Sequence, residues 1–82
     1  MSHVTVPNGS QKALGQAIRL RRHELSGISQ EQLGDMAGFN RTYVGGVERG
    51  LRNPTYLSLL RLSQALRIPL SELIAKAERL DR

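Results

Sequence analysis

The sequence predicts an all-α domain of five short helices. Apolar residues recur at intervals of three, four and seven, the spacing that gathers them on one side of an α-helix. No stretch alternates apolar with polar residues as a half-buried strand does. Capping residues and helix breakers (Ser29, Gly38, Gly50, Pro54, Thr55 and Pro69) stand between the apolar runs, where helices start and stop.

Residues 1–9 are polar and contain a Pro-Asn-Gly turn, so they read as a flexible tail ahead of a domain at 10–82. Leu14, Ala17, Ile18 and Leu25 give the first helix one apolar stripe, ending near His23–Leu25 before Ser26-Gly27. Ser29-Gln30-Glu31-Gln32 fits a capping box and opens the second helix. Leu33, Met36 and Ala37 are expected to face inward, with Gly38 in the left-handed position that closes the helix. The third helix runs from Asn40, its N-cap, to about Arg49, and Gly50 closes it. Pro54 pushes Asn53 away from helical angles. Thr55 then caps a fourth helix carrying Leu59, Leu62 and Leu66, with Tyr56, Leu57 and Leu60 beside them. Pro69 suits the first position of a fifth helix, which has Leu70, Leu73, Ile74, Ala77 and Leu80 on one side.

A chain of 82 residues is one domain. It buries only about 60–65% of the surface its unfolded form exposes. Without cysteine there is neither a disulfide framework nor a thiolate metal site, so the core must come from helix packing, with dimerisation as a further source. The net charge is +5, and ten of the twelve basic residues are arginine. Arginine is favoured where phosphate or guanine must be held by paired donors. A solvated basic surface is the plain alternative. No apolar run approaches the roughly 20 residues that span a bilayer, and the first residues lack a secretory pattern. The expectation is therefore a cytoplasmic protein with no membrane partner. His3 and His23 sit in no metal-ligand spacing, and neither a nucleophile elbow nor a phosphate loop is present. No metal, cofactor, small-molecule ligand or enzymatic activity is expected. The three aromatics (Phe39, Tyr43 and Tyr56) are few for stacking on single-stranded RNA, and Phe39 and Tyr56 are expected to plug the core.

The second and third helices, joined by the turn Ala37-Gly38-Phe39-Asn40, have helix-turn-helix spacing at about residues 29–49. In that arrangement the second helix of the pair enters the DNA major groove. The stretch "SGISQEQLGDMAGFNRTYVGGVERGLRNPTYLSLLRLSQAL" resembles the Cro/C1-type helix-turn-helix family, and the resemblance runs from about Leu14 to Leu73. It is carried by the Ser-Gln-x-x-Leu of the second helix, the Ala-Gly turn, the Val-Glu-Arg-Gly ending the third helix, and Asn-Pro-Thr before the fourth. Within the family, "NRTYVGGVERGLRNPT" is most similar to controller proteins of restriction-modification systems. Between Arg22 and Ile28 the chain is one residue longer than the usual pattern.

The resemblance implies a lambda-repressor-like fold and a transcriptional regulator that binds a two-fold site on double-stranded DNA as a homodimer, with RNA polymerase a further candidate partner. It implies that Arg41 and Thr42 reach base edges, and it places Gly46 where relatives often carry another base-reading side chain. Gln30, Arg52 and Asn53 would hold the DNA backbone, and Asn40, Tyr43 and Arg49 complete the expected backbone set. Tyr43 has a second reading, packed against the second helix. Glu48 is expected to pair with an arginine of the first helix, Arg22 first and Arg19 second.

Helical geometry agrees with the base-reading set. With Val44 and Val47 buried, Arg41, Thr42, Gly45 and Gly46 turn outward. The two glycines each cost about 1 kcal/mol in a helix interior. Their expected use is to let the backbone approach DNA closely, against the plain reading that an exposed face tolerates them. The stripe of the fifth helix is partly wanted by the domain's own core, and Leu73, Ala77 and Leu80 are the expected dimer seam, against the plain reading of a frayed, singly exposed Leu80. The rival from another class is a protein-interaction module of the same fold, such as an antitoxin or a regulator-binding partner. Recognition of structured RNA is the third reading.

Overall fold

The computed structural model describes residues 9–81 and contains five α-helices. They are α1 (Ser10–Glu24), α2 (Gln30–Ala37), α3 (Arg41–Glu48), α4 (Tyr56–Ala65) and α5 (Leu70–Leu80). No strand occurs among the described residues, and none of these helices is long and apolar enough to cross a membrane. Apart from Gly9, the tail expected at 1–9 lies outside the described residues, as does Arg82.

The helix ends follow from local chemistry. Ser29 Oγ accepts the Gln32 N–H while Gln32 Oε1 accepts the Ser29 N–H, which closes the capping box on α2. Asn40 and Thr55 cap α3 and α4 by accepting the N–H groups of Tyr43 and Ser58. At the far end of α3, Gly50 takes φ of 77°. The Leu51 N–H donates to the Gly46 carbonyl at 2.9 Å and the Gly50 N–H to the Val47 carbonyl at 3.0 Å. This Schellman arrangement reverses the chain onto the helix it has just left.

Ile18, Leu33, Val44, Val47, Leu62, Leu66 and Leu73 form the buried centre, with Phe39, Tyr43 and Leu70 packed against it. Helix α5 lies along α1, and α3 contacts both α1 and α2. The close approach of α1 to α3 depends on Gly15, where a Cβ would run into the Val47 and Glu48 carbonyls. Between α1 and α2, Ser26 and Gly27 both take left-handed angles, φ 56° and 64°, so a two-residue reversal ends the first helix.

Two arginines serve the framework. Arg61 on α4 donates to the carbonyls of Ala37 and Gly38 at 2.9 and 3.0 Å, covering the exposed end of α2. Its guanidinium carbon also sits 4.4 Å from the Phe39 ring centroid. Arg21 on α1 does the same for α4, donating to the Leu66 and Arg67 carbonyls at 2.9 Å each. Positive charge near a helix C-terminus also complements the macrodipole.

Three expectations about burial change. Met36 is 54% exposed, because the stripe that buries Leu33 and Ala37 leaves it at the edge. Tyr56 is 66% exposed in the first turn of α4 and plugs nothing. Leu73 is fully buried and Ala77 nearly so, because α5 packs against α1 along that stripe. Of the expected seam, only Leu80 keeps substantial exposure, and the groove where it lies beside Leu20 is formed by α1 and α5.

Candidate nucleic-acid interface

Helix α3 presents one face to the core and another to solvent. Val44 and Val47 are buried, while Arg41 and Thr42 in the first turn are exposed. Arg41 stands at the positive end of the helix dipole, where a cation is disfavoured by about 0.3–1 kcal/mol. Folding alone gives no reason to put it there. Gln30, Arg41, Thr42, Gly45 and Arg49 together line one concave surface between α2 and α3.

The seating of α3 depends on a buried ion pair. Arg22 Nε and Nη2 donate to the two Glu48 carboxylate oxygens at 2.8 and 2.9 Å, a bidentate fork. Its Nη1 donates to the Ile28 carbonyl at 2.8 Å. Gln30 Nε2 completes the set by donating to Glu48 Oε1 at 3.0 Å. The two charged side chains are only 10% and 3% exposed, and among the described residues no buried side-chain nitrogen or oxygen lacks a partner. The Glu48 carboxylate thus ties α3 to α1 and α2, and Arg22 ties the pair to the loop between them. Arg19, the second choice for Glu48, stays exposed on α1.

The remaining expected contact residues divide by environment. Asn40 is exposed, but its Oδ1 is engaged by the Tyr43 N–H at 2.8 Å. Tyr43 is half-buried, its ring centroid 4.7 Å from that of Phe39, so packing accounts for most of the side chain. Arg49, Arg52 and Asn53 are exposed around the end of α3.

The glycines differ from expectation. Gly45 and Gly46 are buried, although their places on the helix turn outward. The covering atoms are side chains of the interface itself. A Cβ at Gly45 would stand 3.1 Å from Arg49 Nη1 and 3.4 Å from Gln30 Oε1. At Gly46 it would stand 2.9 Å from Arg52 Cγ. The bare helix face is therefore occupied by arginine, which periodicity could not reveal, because the chain reversal after Arg49 brings Arg52 back over it. Gln11 is the residue that sequence reasoning missed: from α1 its Nε2 donates to the Gly50 and Arg52 carbonyls at 3.2 and 3.1 Å. No local signal marks it, since both partners lie some forty positions away.

A cationic, partly concave face built on the second helix of a helix-turn-helix pair is the arrangement that meets a DNA groove. The family model described as helix-turn-helix matches residues 18–73. The chain belongs to the Cro/C1-type helix-turn-helix family. Among its relatives, the chain is 40% identical over 60 residues to y4dJ, an uncharacterised HTH-type transcriptional regulator of Sinorhizobium fredii, covering 73% of this chain and 75% of that one. Control protein C.SmaI of Serratia marcescens is 36% identical over 66 residues, covering 80% and 77%. Among solved structures, the restriction-modification controller protein C.AhdI of Aeromonas hydrophila superposes with a TM-score of 0.72 at 44% identity, covering 77% of this chain and 94% of that one. The clp gene regulator ClgR of Corynebacterium glutamicum, at 23% identity and a TM-score of 0.80, shares the fold. Members of this family are DNA-binding regulators, and the chain is not an enzyme. Among the described residues, no group of three or more His, Cys, Asp or Glu could hold a metal ion.

Proposed function

We propose that the chain regulates transcription by binding a two-fold site on double-stranded DNA as a homodimer, in the manner of a restriction-modification controller. The observation that carries this reading is Arg41. It stands exposed at a helix end that disfavours it, beside Thr42 and on the same concave surface as Arg49. There Arg41 offers a guanine two donors, to O6 and N7, and Thr42 offers a hydroxyl and a methyl. Arg49, Arg52 and Asn53 supply backbone contacts that fix register without reading sequence. Gln30 and Asn40 lend their remaining polar atoms, since each already holds an internal bond. Gly46 reads no base, because it has no side chain and another residue covers it.

The homodimer seam is assigned to the start of α4 rather than to α5. Leu51, Tyr56 and Leu57 are each about two-thirds exposed and immediately follow the recognition helix. A small domain exposing three large apolar side chains near one helix start has a surface fit for association. A two-fold contact beside the recognition helix holds two copies of α3 for successive major grooves, about 34 Å apart. Contact with RNA polymerase is the natural further step for such a regulator on DNA.

Titrating a fluorescent duplex at several salt concentrations tests the reading. Affinity should fall steeply with salt, by about 0.9 in the log–log slope for each phosphate neutralised. A flat salt dependence, or preference for RNA of equal length, would reject it.

A further inference from the structure

The recognition helix contains two adjacent glycines, which weaken it, and both are covered by polar side chains of the interface. The geometry is most specific at Gly46. An ideal Cβ there would lie 2.9 Å from Arg52 Cγ, 3.7 Å from Cδ and 3.5 Å from Nε, so three successive atoms of the arginine stem run across the bare backbone. The contact arises because the Leu51 N–H bonds back to the Gly46 carbonyl at 2.9 Å and turns the chain over the end of α3. Gln11 then pins the reversed segment from the other side through the Gly50 and Arg52 carbonyls.

Gly46 lies four residues after Thr42, so the two share one helical stripe. An arginine whose stem crosses Gly46 is therefore held against the helical stripe that Thr42 begins. A long side chain loses rotamer entropy on being fixed. A surface that fixes it before DNA arrives removes part of that cost from binding.

We propose that Gly46 is a positioning residue: the missing side chain forms a seat that holds Arg52 in register for DNA, and this is why the recognition helix tolerates a glycine there. The proposal rests on the DNA-binding reading above for its consequence, but not for its geometry. It replaces close approach of the helix backbone to DNA as the reason for the glycine. The two explanations make opposite statements about coupling between Gly46 and Arg52.

The test is a double-mutant cycle of Gly46→Ala and Arg52→Ala, read by duplex affinity, salt slope, thermal melting and NMR of the Arg52 Nε–Hε group in the free protein. Gly46 lies in ordinary helical conformation, but its Cβ would meet Arg52 Cγ near the root of that side chain. The gain in helix propensity from alanine is offset by the displacement of Arg52, so the fold should stay intact with melting little changed. The same variant should lose roughly tenfold or more in DNA affinity, the worth of one charge-assisted hydrogen bond. Its salt slope should fall by about 0.9, as one phosphate contact is lost. Arg52→Ala should do the same, and the double variant should bind no worse than Arg52→Ala alone. In the free wild type the Arg52 Nε–Hε group should be ordered, and Gly46→Ala should make it mobile.

Wild-type affinity in Gly46→Ala overturns the seat. So do losses that multiply in the double variant, because the glycine would then act without Arg52. An Arg52 group that is already mobile in the free wild type overturns it whether or not DNA binds. An ordered Arg52 in a protein that binds no duplex leaves the seat standing and removes the DNA-binding reading instead.

Discussion

Arg41 and Glu48 sit at opposite ends of the same eight-residue helix and obey opposite logic. Arg41 is exposed, and nothing in the fold calls for a cation at a helix N-terminus. Replacing it with alanine should leave the melting temperature unchanged or slightly higher, while discrimination at one base position falls by about 1–3 kcal/mol. Calorimetry and competition binding on matched duplexes check the two halves separately. Glu48 is the reverse case. Its carboxylate is almost wholly buried and holds Arg22 by two bonds and Gln30 by a third. Glu48→Ala strands a buried guanidinium, and removing one partner of such a pair costs about 3–5 kcal/mol. Chemical denaturation should show a loss of that size, and an unchanged midpoint would contradict the role.

At the scale of elements, the helices are stopped and joined by a few reversals, two of which hold a non-glycine residue at a left-handed angle, Ser26 and Arg67. Arg67 follows α4 with φ of 53°, a left-handed angle that disfavours any residue with a Cβ. Its carbonyl, not its side chain, is what Arg21 binds, so Arg67→Gly keeps that bond. This variant should stabilise the fold by about 0.5–1 kcal/mol, once glycine's greater freedom in the unfolded chain is deducted from the relieved strain. A lower midpoint in denaturant would contradict this. The legibility of the sequence follows the same division between local and distant causes. The number of helices and the caps at Ser29, Asn40 and Thr55 were readable, because a cap depends on residues three positions apart. The exposure of Met36 and Tyr56 was not, since an apolar residue at the edge of a stripe has the same spacing as one inside it. The arginines posed the same difficulty. Ten of them raise the prospect of DNA, yet Arg21, Arg22 and Arg61 are engaged by carbonyls or a carboxylate across the fold. Only tertiary structure separates these from Arg41, Arg49 and Arg52.

The described chain is a thin core of five helices, with exposed arginines on and just after α3 and large apolar side chains exposed just beyond them. Leu73 and Ala77 of the α5 stripe are buried against α1, while Leu80 stays exposed beside Leu20. Leu57→Glu on the α4 start should convert a dimer to a folded monomer in sedimentation experiments and weaken operator binding by at least tenfold, since each half-site would then be held alone. A dimer that persists in this variant would move the seam elsewhere. The most direct measurement is selection from a random duplex library at moderate salt, run in parallel with wild type and Arg41→Ala. The account predicts that wild type enriches an inverted repeat and that the variant loses preference at one guanine in each half-site. Absence of enrichment by well-folded wild type would contradict it, and would leave the same face as a surface for a protein partner.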